Sequence, residues 1–286
     1  MPYLPQLMTF SHVTPRQAVE KYGNTWSTRA DTYISSGPFM LESWRKTDRV
    51  VVRANPEYHG PAQPYLERIV YRLFIPSSPP PYLAAYQADE VDYIPVAGQA
   101  ELARVLSDPN LKNELHPYPE FATYYLVLNT DVPPFNDKRM RQAISHAIDR
   151  NALMVSALRG VASPAWSMLP MGFPGGDPER LREIQRYDPV LARQLLAEAG
   201  FPEGRGAPPL EMWLRDEGPV QRTAAEAIQA MLRRNLGIPV SIRNMERKTF
   251  MDELNSHRLV FGLTSYLYDF YDPGSLLNLW RSNGRH

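Results

Sequence analysis

Any chemistry in this chain has to be done without cysteine, since none is present. Disulfides, thiolate metal sites and cysteine nucleophiles are thereby excluded. The six histidines, at 12, 59, 116, 146, 257 and 286, show neither His-x-x-x-His nor His-Glu-x-x-His spacing, so a metal hydrolase has little support. His146 lies beside an apolar helical stripe and reads as a surface or packing residue. No Gly-x-Ser-x-Gly elbow occurs, and Gly204-Arg205-Gly206 is too short for a phosphate loop and runs into prolines. Carboxylates such as Glu183 and Asp188 lie near one another in sequence, but nothing sets them across a substrate. No catalytic residue, metal site or cofactor is expected. The stretch with most to offer is Ser265-Tyr266-Leu267-Tyr268-Asp269-Phe270-Tyr271-Asp272-Pro273. Its Asp269 carboxylate stands among rings at 266, 268, 270 and 271, which can exclude water around a charged partner. The alternative is that Asp269 caps a turn while the tyrosines pack. Asp272, followed by proline, has the form of a helix cap.

The elements that must position this stretch are clearest between Thr123 and Arg150. Tyr124 to Leu128 is a short apolar run of β-favouring residues, read as a mostly buried strand. Pro133-Pro134 forces an extended corner. Asn136 or Asp137 then caps a helix, with Phe135 placed to staple against Met140. Met140, Ala143, Ile144, Ala147 and Ile148 recur at helical spacing as one apolar stripe. Upstream, Thr14 caps a helix that opens on Pro15 and ends near Tyr22. Phe39–Trp44 and Val50–Arg53 form a hairpin-like pair, and Arg68–Ile75 is the strongest strand of this half. Short helices follow at Tyr82–Ala88 and Glu101–Leu106, with a short strand at Val91–Ile94 between them. Downstream, Leu153–Leu158 continues helical to Gly160, and residues 161–187 read as loop. Asp188-Pro189 opens a helix that stops at Gly200. Strand 210–214, helix 220–235, strand 239–243, helix 248–256 and strand 259–266 then alternate, which implies a parallel or mixed sheet covered by helices. A last helix starts at Asp272-Pro273 and runs to about Trp280.

Size and charge narrow the class. At 286 residues and 43% hydrophobic, the chain can fill one large domain or two ordinary ones. Lys+Arg and Asp+Glu both number 31, and no run of five like charges occurs, which argues against nucleic acid or an acidic membrane surface as partner. No apolar run approaches the ~18 residues of a membrane span.

Several motifs, in order, resemble the family 5 solute-binding proteins of ABC importers, which bind peptides, dipeptides and nickel. They are Ser36-Gly37-Pro38-Phe39-Met40-Leu41-Glu42-Ser43-Trp44 and Arg53-Ala54-Asn55-Pro56-Glu57-Tyr58. Ala88-Asp89-Glu90-Val91-Asp92 is similar to the family's next element, with Asp89 where glycine is usual. The most specific is Asn129, Pro134-Phe135, Asp137 through Arg141-Gln142-Ala143, and Ala147-Ile148-Asp149-Arg150. Tyr187-Asp188-Pro189 with Leu195 through Phe201, and residues 234–280, are also similar, closest to the oligopeptide-binding branch.

The resemblance implies an α/β, two-lobed periplasmic-binding-protein-like fold (type II, cluster C), here incomplete. Residues 1–33 would be the tail of an extra small domain, 34–122 the middle of lobe I, and 123–286 most of lobe II, entered through a hinge near 121–125 where Tyr124 and Tyr125 lie. An export signal is absent from this chain, and the family's length implies further segments before Met1 and after His286. The implied function is non-catalytic: a peptide, or alternatively an oligosaccharide or metal complex, is bound between lobes and delivered to a membrane permease. The intact protein would be a monomer in the periplasm or at the cell surface. Asp269 would hold a peptide's ammonium, while Ser265, Tyr266 and Leu267, followed by Tyr268, would pair with its backbone. Tyr93 would either face the ligand from lobe I or pack. Leu254 and Leu263 stand where some relatives carry arginines for the peptide's carboxylate, so a length-fixing ion pair is not expected at those positions.

Overall fold

Proline and glycine punctuation divides the first third of the chain into short pieces that fold locally. The computed structural model describes residues 14–73, 82–96, 99–118, 120–215 and 218–280. The described residues up to 96 and those from 99 onward form two compact units. The division falls ahead of the passage expected at 121–125, so residues 99–121 go with the second unit.

In the first unit, helix α1 (Arg16–Tyr22) starts one residue later than expected. Pro15 rather than Thr14 takes the cap position: its carbonyl accepts from the Val19 N–H at 3.1 Å, and no side chain caps. Proline suits that place because a cap residue needs its carbonyl and not an N–H. Strands β1 (Phe39–Arg45) and β2 (Arg49–Ala54) pair antiparallel through a turn with Thr47 at φ 69°. Strand β3 (Arg68–Arg72) pairs antiparallel with β2, Val51 opposite Val70, to give the order β1-β2-β3. The end of the strand expected to reach Ile75 lies outside the described residues. Buried Asn55 ties the ends of this hairpin together. Its amide donates to the carbonyls of Ser35 (3.2 Å) and Gly37 (2.9 Å), and its oxygen accepts from the Glu57 N–H (3.1 Å). That network accounts for an asparagine at the strand-to-loop junction. Helix α2 (Tyr82–Gln87) ends in a turn with Asp89 at φ 55°, a left-handed conformation that explains why glycine suits this position and aspartate tolerates it. The strand expected at Val91–Ile94 is not formed: these residues are irregular. Four residues, one of them Asp92, become a strand only beside a partner, and among the described residues none lies there.

The second unit opens with α3 (Gln99–Ser107) and α4 (Pro109–Glu114). The expected helix at Glu101–Leu106 is followed directly by a second one, which Asp108-Pro109 starts: the Asp108 carboxylate accepts from the N–H groups of Asn110 (2.9 Å) and Leu111 (3.3 Å). Strand β4 (Ala122–Leu128) leads through the cis Pro133–Pro134 bond to α5 (Lys138–Ala147). Asp137 caps α5 by accepting from the Arg139 N–H at 2.8 Å. Met140, Ala143, Ile144, Ala147 and Ile148 are all buried, and Phe135 meets Phe261 with ring centroids 5.5 Å apart.

The helix expected to continue through 153–158 breaks at Ile148. It restarts at Arg150 with Asp149 accepting from the Ala152 N–H (2.9 Å), then widens to a π-helical turn over Leu153–Ala157. Arg150 explains the end of this motif. Its guanidinium donates to the Gln185 main-chain carbonyl and Oε1, both at 2.9 Å, and lies over the Trp166 ring. Burial lowers its pKa to about 10. The segment it holds is not all loop, because α6 (Pro178–Arg182) forms with Asp177 as cap. His146 is buried, its Nδ1 donating to the Arg186 carbonyl at 2.8 Å.

Helices α7 (Pro189–Glu198), α8 (Pro219–Leu236) and α9 (Arg247–Asn255) alternate with strands β5 (Leu210–Arg215), β6 (Val240–Met245) and β7 (Phe261–Leu267). Gly237 ends α8 at φ 71°, its N–H donating to the Arg233 carbonyl at 3.0 Å. The sheet is mixed, in the order β4-β7-β5-β6, with β5 parallel to β6 and β7 and β4 antiparallel to β7. One face packs Leu214, Leu263 and Phe261 against α5, α7 and α8 through Ile144, Leu196 and Leu232. On the other, Val127 and Trp213 meet Phe250 and Leu254 of α9. Gly262 allows that approach, since a Cβ there would lie 3.0 Å from Leu259 and 3.3 Å from the Phe250 ring. The chain ends with α10 (Gly274–Leu277) and a short 3₁₀ turn to Trp280.

Two stability tests follow from this packing. Asn55→Ala strips three hydrogen bonds from a buried junction and should destabilise by about 1–3 kcal/mol, read from the urea midpoint of the hairpin-bearing unit. Asp137 is held down from 3.8 to about 2, first by the Arg139 side chain and then by its N–H. Its contribution is therefore full above pH 3.8 and lost as pH falls through about 2. Asp137→Ala should lower the melting temperature at neutral pH, and the deficit should close over that acid window.

Candidate functional site

Strand β7 runs past one of its neighbours. β4 accompanies it throughout, from Leu128 opposite Phe261 to Ala122 opposite Leu267. β5 pairs with it only at Gly262 and Leu263. The Tyr268 N–H donates to Phe121 O (2.9 Å) and the Asn129 N–H to Val260 O (3.0 Å), so even-numbered residues of β7 turn their main-chain groups toward β4. Odd-numbered residues turn theirs the opposite way. At Ser265 and Leu267 that side carries no strand among the described residues. Among the described residues these two positions thus turn their N–H and C=O groups to an open edge, the kind of template an extended chain can pair with.

Asp269 lies two residues beyond this edge, and its side chain is exposed. Its Oδ2 accepts from the Tyr266 hydroxyl at 2.9 Å, and its own N–H donates to Ser275 Oγ at 3.1 Å. The Tyr266 hydroxyl is also 3.0 Å from the Ser275 carbonyl. Burial first, and the adjacent carboxylate second, raise the Tyr266 pKa. The cap position expected for Asp272 is held by Pro273 instead, with no side-chain cap; Asp272 stands one residue ahead of it, where its carboxylate accepts from the Gly274 N–H at 2.7 Å.

The four rings do not surround Asp269 evenly. Tyr268 is buried, with its ring 4.4 Å from Phe173 and its hydroxyl donating to the Met168 carbonyl, where the Thr123 hydroxyl also donates at 2.8 Å. Burial pushes its pKa up to about 12. Tyr271 packs between Phe121 and Phe173 and donates to the Gly172 carbonyl. These two rings secure residues 168–173 to the end of β7, whereas Tyr266 hydrogen-bonds to the carboxylate. Leu267 and Ser265 lie at the open edge, Leu267 exposed and Ser265 half-buried. Tyr93 belongs to the first unit and is 72% exposed in an irregular stretch. Leu254 and Leu263 are both buried in apolar packing.

Arg215 was not singled out by sequence reasoning. It ends β5, and its Nη2 donates to Ser265 Oγ at 3.3 Å. Its charge also reaches the Tyr124 and Tyr125 hydroxyls, partly opposing the burial that holds Tyr125 at about 12. The sequence carries no signal for this, because the contact joins residues that only sheet order brings together. Among the described residues, no group of His, Asp or Glu could hold a metal ion, and no helix is long and apolar enough to cross a membrane.

The model of the bacterial extracellular solute-binding proteins, family 5 (middle), matches residues 1–286. The chain belongs to that family. Family 5 members are solute-binding proteins of transport systems, not enzymes. The periplasmic oligopeptide-binding protein OppA of Salmonella typhimurium is 29% identical over 99% of this chain and 52% of its own length. A probable deoxycholate-binding periplasmic protein of Escherichia coli, YgiS, is 28% identical over 94% of this chain and 49% of its own. Among solved structures, the Escherichia coli murein tripeptide binding protein MppA superposes with a TM-score of 0.75 at 25% identity, covering 99% of this chain and 55% of that one. The fold is thus that of the periplasmic binding proteins, and the chain spans about half the length of the curated relatives it matches.

The hydrogen bond from Tyr266 to Asp269 joins the end of this family 5 strand to the turn after it. Removing it in Tyr266→Phe should cost about 0.5–1.5 kcal/mol, read as a lower midpoint in urea denaturation.

Proposed function

We propose that this chain forms the peptide-recognising part of an ABC-importer binding protein, with Asp269 as the anchor for a peptide's ammonium. The observation that carries the reading is the open edge at Ser265 and Leu267, with a carboxylate two residues beyond it. Main-chain pairing along the edge gives affinity that is indifferent to side chains, and a carboxylate at one end sets the register. Tyr266 holds one carboxylate oxygen and leaves the other for the ligand. Tyr268 stiffens the strand end, and Tyr93 of the first unit is exposed enough to meet a ligand. In the whole protein, residues 34–122 and 123–286 would contribute to two lobes hinged near 121–125. Closure over the ligand would then create the surface recognised by a membrane permease. The setting is periplasmic or cell-surface, and the intact protein acts as a monomer. The names of OppA and MppA support a peptide.

The name of YgiS favours a second reading, in which the same fold takes a non-peptide solute. The oligosaccharide and metal-complex alternatives belong to this class. Calorimetric titration with tri-alanine separates the two. Asp269→Asn would leave an enclosed ammonium unpaired, a loss of about 2–5 kcal/mol, or roughly 30-fold or more in affinity. Undiminished binding by that variant, or equal binding of N-acetylated tri-alanine, would put the ammonium anchor aside in favour of the second reading.

A further inference from the structure

A carboxylate on an exposed turn is a poor anchor unless something fixes it, because a freely rotating side chain loses conformational entropy on binding. Asp269 is exposed, yet its main chain and its side chain are both fixed from one place. Its N–H donates to Ser275 Oγ at 3.1 Å, six residues ahead. Its Oδ2 accepts from the Tyr266 hydroxyl, which lies 3.0 Å from the Ser275 carbonyl oxygen. A phenol carries one proton, so Tyr266 divides it between the carboxylate and that carbonyl, and its ring is held between the two. The Ser275 N–H donates in turn to the Asp272 carbonyl at 2.9 Å, which closes the turn on itself. Ser275 is buried and precedes Leu276, which is fully buried with Phe173 and Tyr268. Helix α10 has only four residues, too few to hold its shape alone, so this leucine is what seats it.

We infer that Ser275 is a positioning residue for the Asp269 carboxylate: its hydroxyl fixes the aspartate's main chain, and its carbonyl fixes the tyrosine that aims the carboxylate. This rests on the ammonium reading above and adds the residue that sets the anchor's direction. Ser275 acts through Asp269 and Tyr266 and meets no ligand itself. The order of support runs outward from the core. Leu276 seats α10, α10 places Ser275, and Ser275 holds both groups that define where the carboxylate points. The residue type matters at this position. The Asp269 N–H needs an acceptor on a side chain short enough to stay inside a buried turn. Alanine has no acceptor, and cysteine fills nearly the same volume but accepts weakly.

The test is calorimetric competition on the full chain with tri-alanine and with propionyl-Ala-Ala, the same skeleton without its ammonium. The proteins compared are the wild type, Ser275→Ala and Ser275→Cys. The wild type should bind tri-alanine at least about thirtyfold more tightly than propionyl-Ala-Ala. In both variants that ratio should shrink about fivefold, the worth of one net hydrogen bond. A loss of packing alone would weaken both ligands alike and leave the ratio unchanged. That result would overturn the inference while the ammonium anchor stands. A ratio kept by cysteine and lost by alanine would overturn it too, since volume and not the hydroxyl would then be at work. If tri-alanine binds no better than propionyl-Ala-Ala, or does not bind, the ammonium reading falls and this inference with it. The cysteine variant decides the matter even where Ser275→Ala does not fold.

Discussion

An inner strand of a sheet must find partners for main-chain groups on both sides, and among the described residues β7 has strand partners on only one side beyond Leu263. Everything distinctive about the candidate site follows from this mismatch in length between β5 and β7. Among the described residues β5 ends at Arg215, and the far end of β7 has no partner on that side while the strand remains anchored in the middle of the sheet. β4 holds the other side through Ala122, and the core beneath Phe261 and Leu263 holds the strand's first half. The edge is therefore held by packing on its other side, which on the proposed reading would lower the entropy cost of pairing a peptide against it.

The rest of the second unit can be read as support for that edge. Met140, Ile144 and Phe135 lock α5 beneath Phe261. Arg150 ties the segment bearing Trp166 and Gln185 to the end of α5, and the same segment continues to Met168 and Phe173. There it meets Tyr268, Tyr271 and Thr123, so the packing reaches the strand end from below. The tyrosines thus divide their labour: two of them secure the scaffold and one, Tyr266, orients the carboxylate. A carboxylate with one oxygen fixed by a hydroxyl offers its other oxygen in a defined direction, a condition for reading a ligand terminus and not merely attracting a cation.

Much of this fold was legible because local rules and global packing agree. The stripe from Met140 to Ile148 is buried along its whole length, since its period matches a helix on a sheet. The alternation from Leu210 to Tyr266 gives the mixed sheet that strand–helix–strand spacing implies. Misreadings arose where a local signal has two meanings. An aspartate before proline can end one helix or begin the next: at Asp108 and Asp177 it begins one, as at Asp188, because its carboxylate is free to accept the first N–H groups. The run Val91–Ile94 has strand-like residues but, among the described residues, no neighbour to pair with. Pro15 displaces Thr14 as cap because the helix starts where a carbonyl, not a hydroxyl, is in position.

Residue types and spacing alone determined the α/β class, the boundaries to within two residues of the strands and helices that alternate from Leu210 to Leu267, the absence of thiol chemistry and the placing of a carboxylate at the end of a late strand. Those properties are local: they depend on φ preferences, periodicity and which atoms a side chain carries. Only the tertiary structure decided that β7 outruns β5, that Tyr266 rather than Tyr268 touches Asp269, and that Arg215 lies beside Ser265. Each of these depends on strand order and register, which are set by how distant segments share one core, and no window of neighbouring residues contains that information.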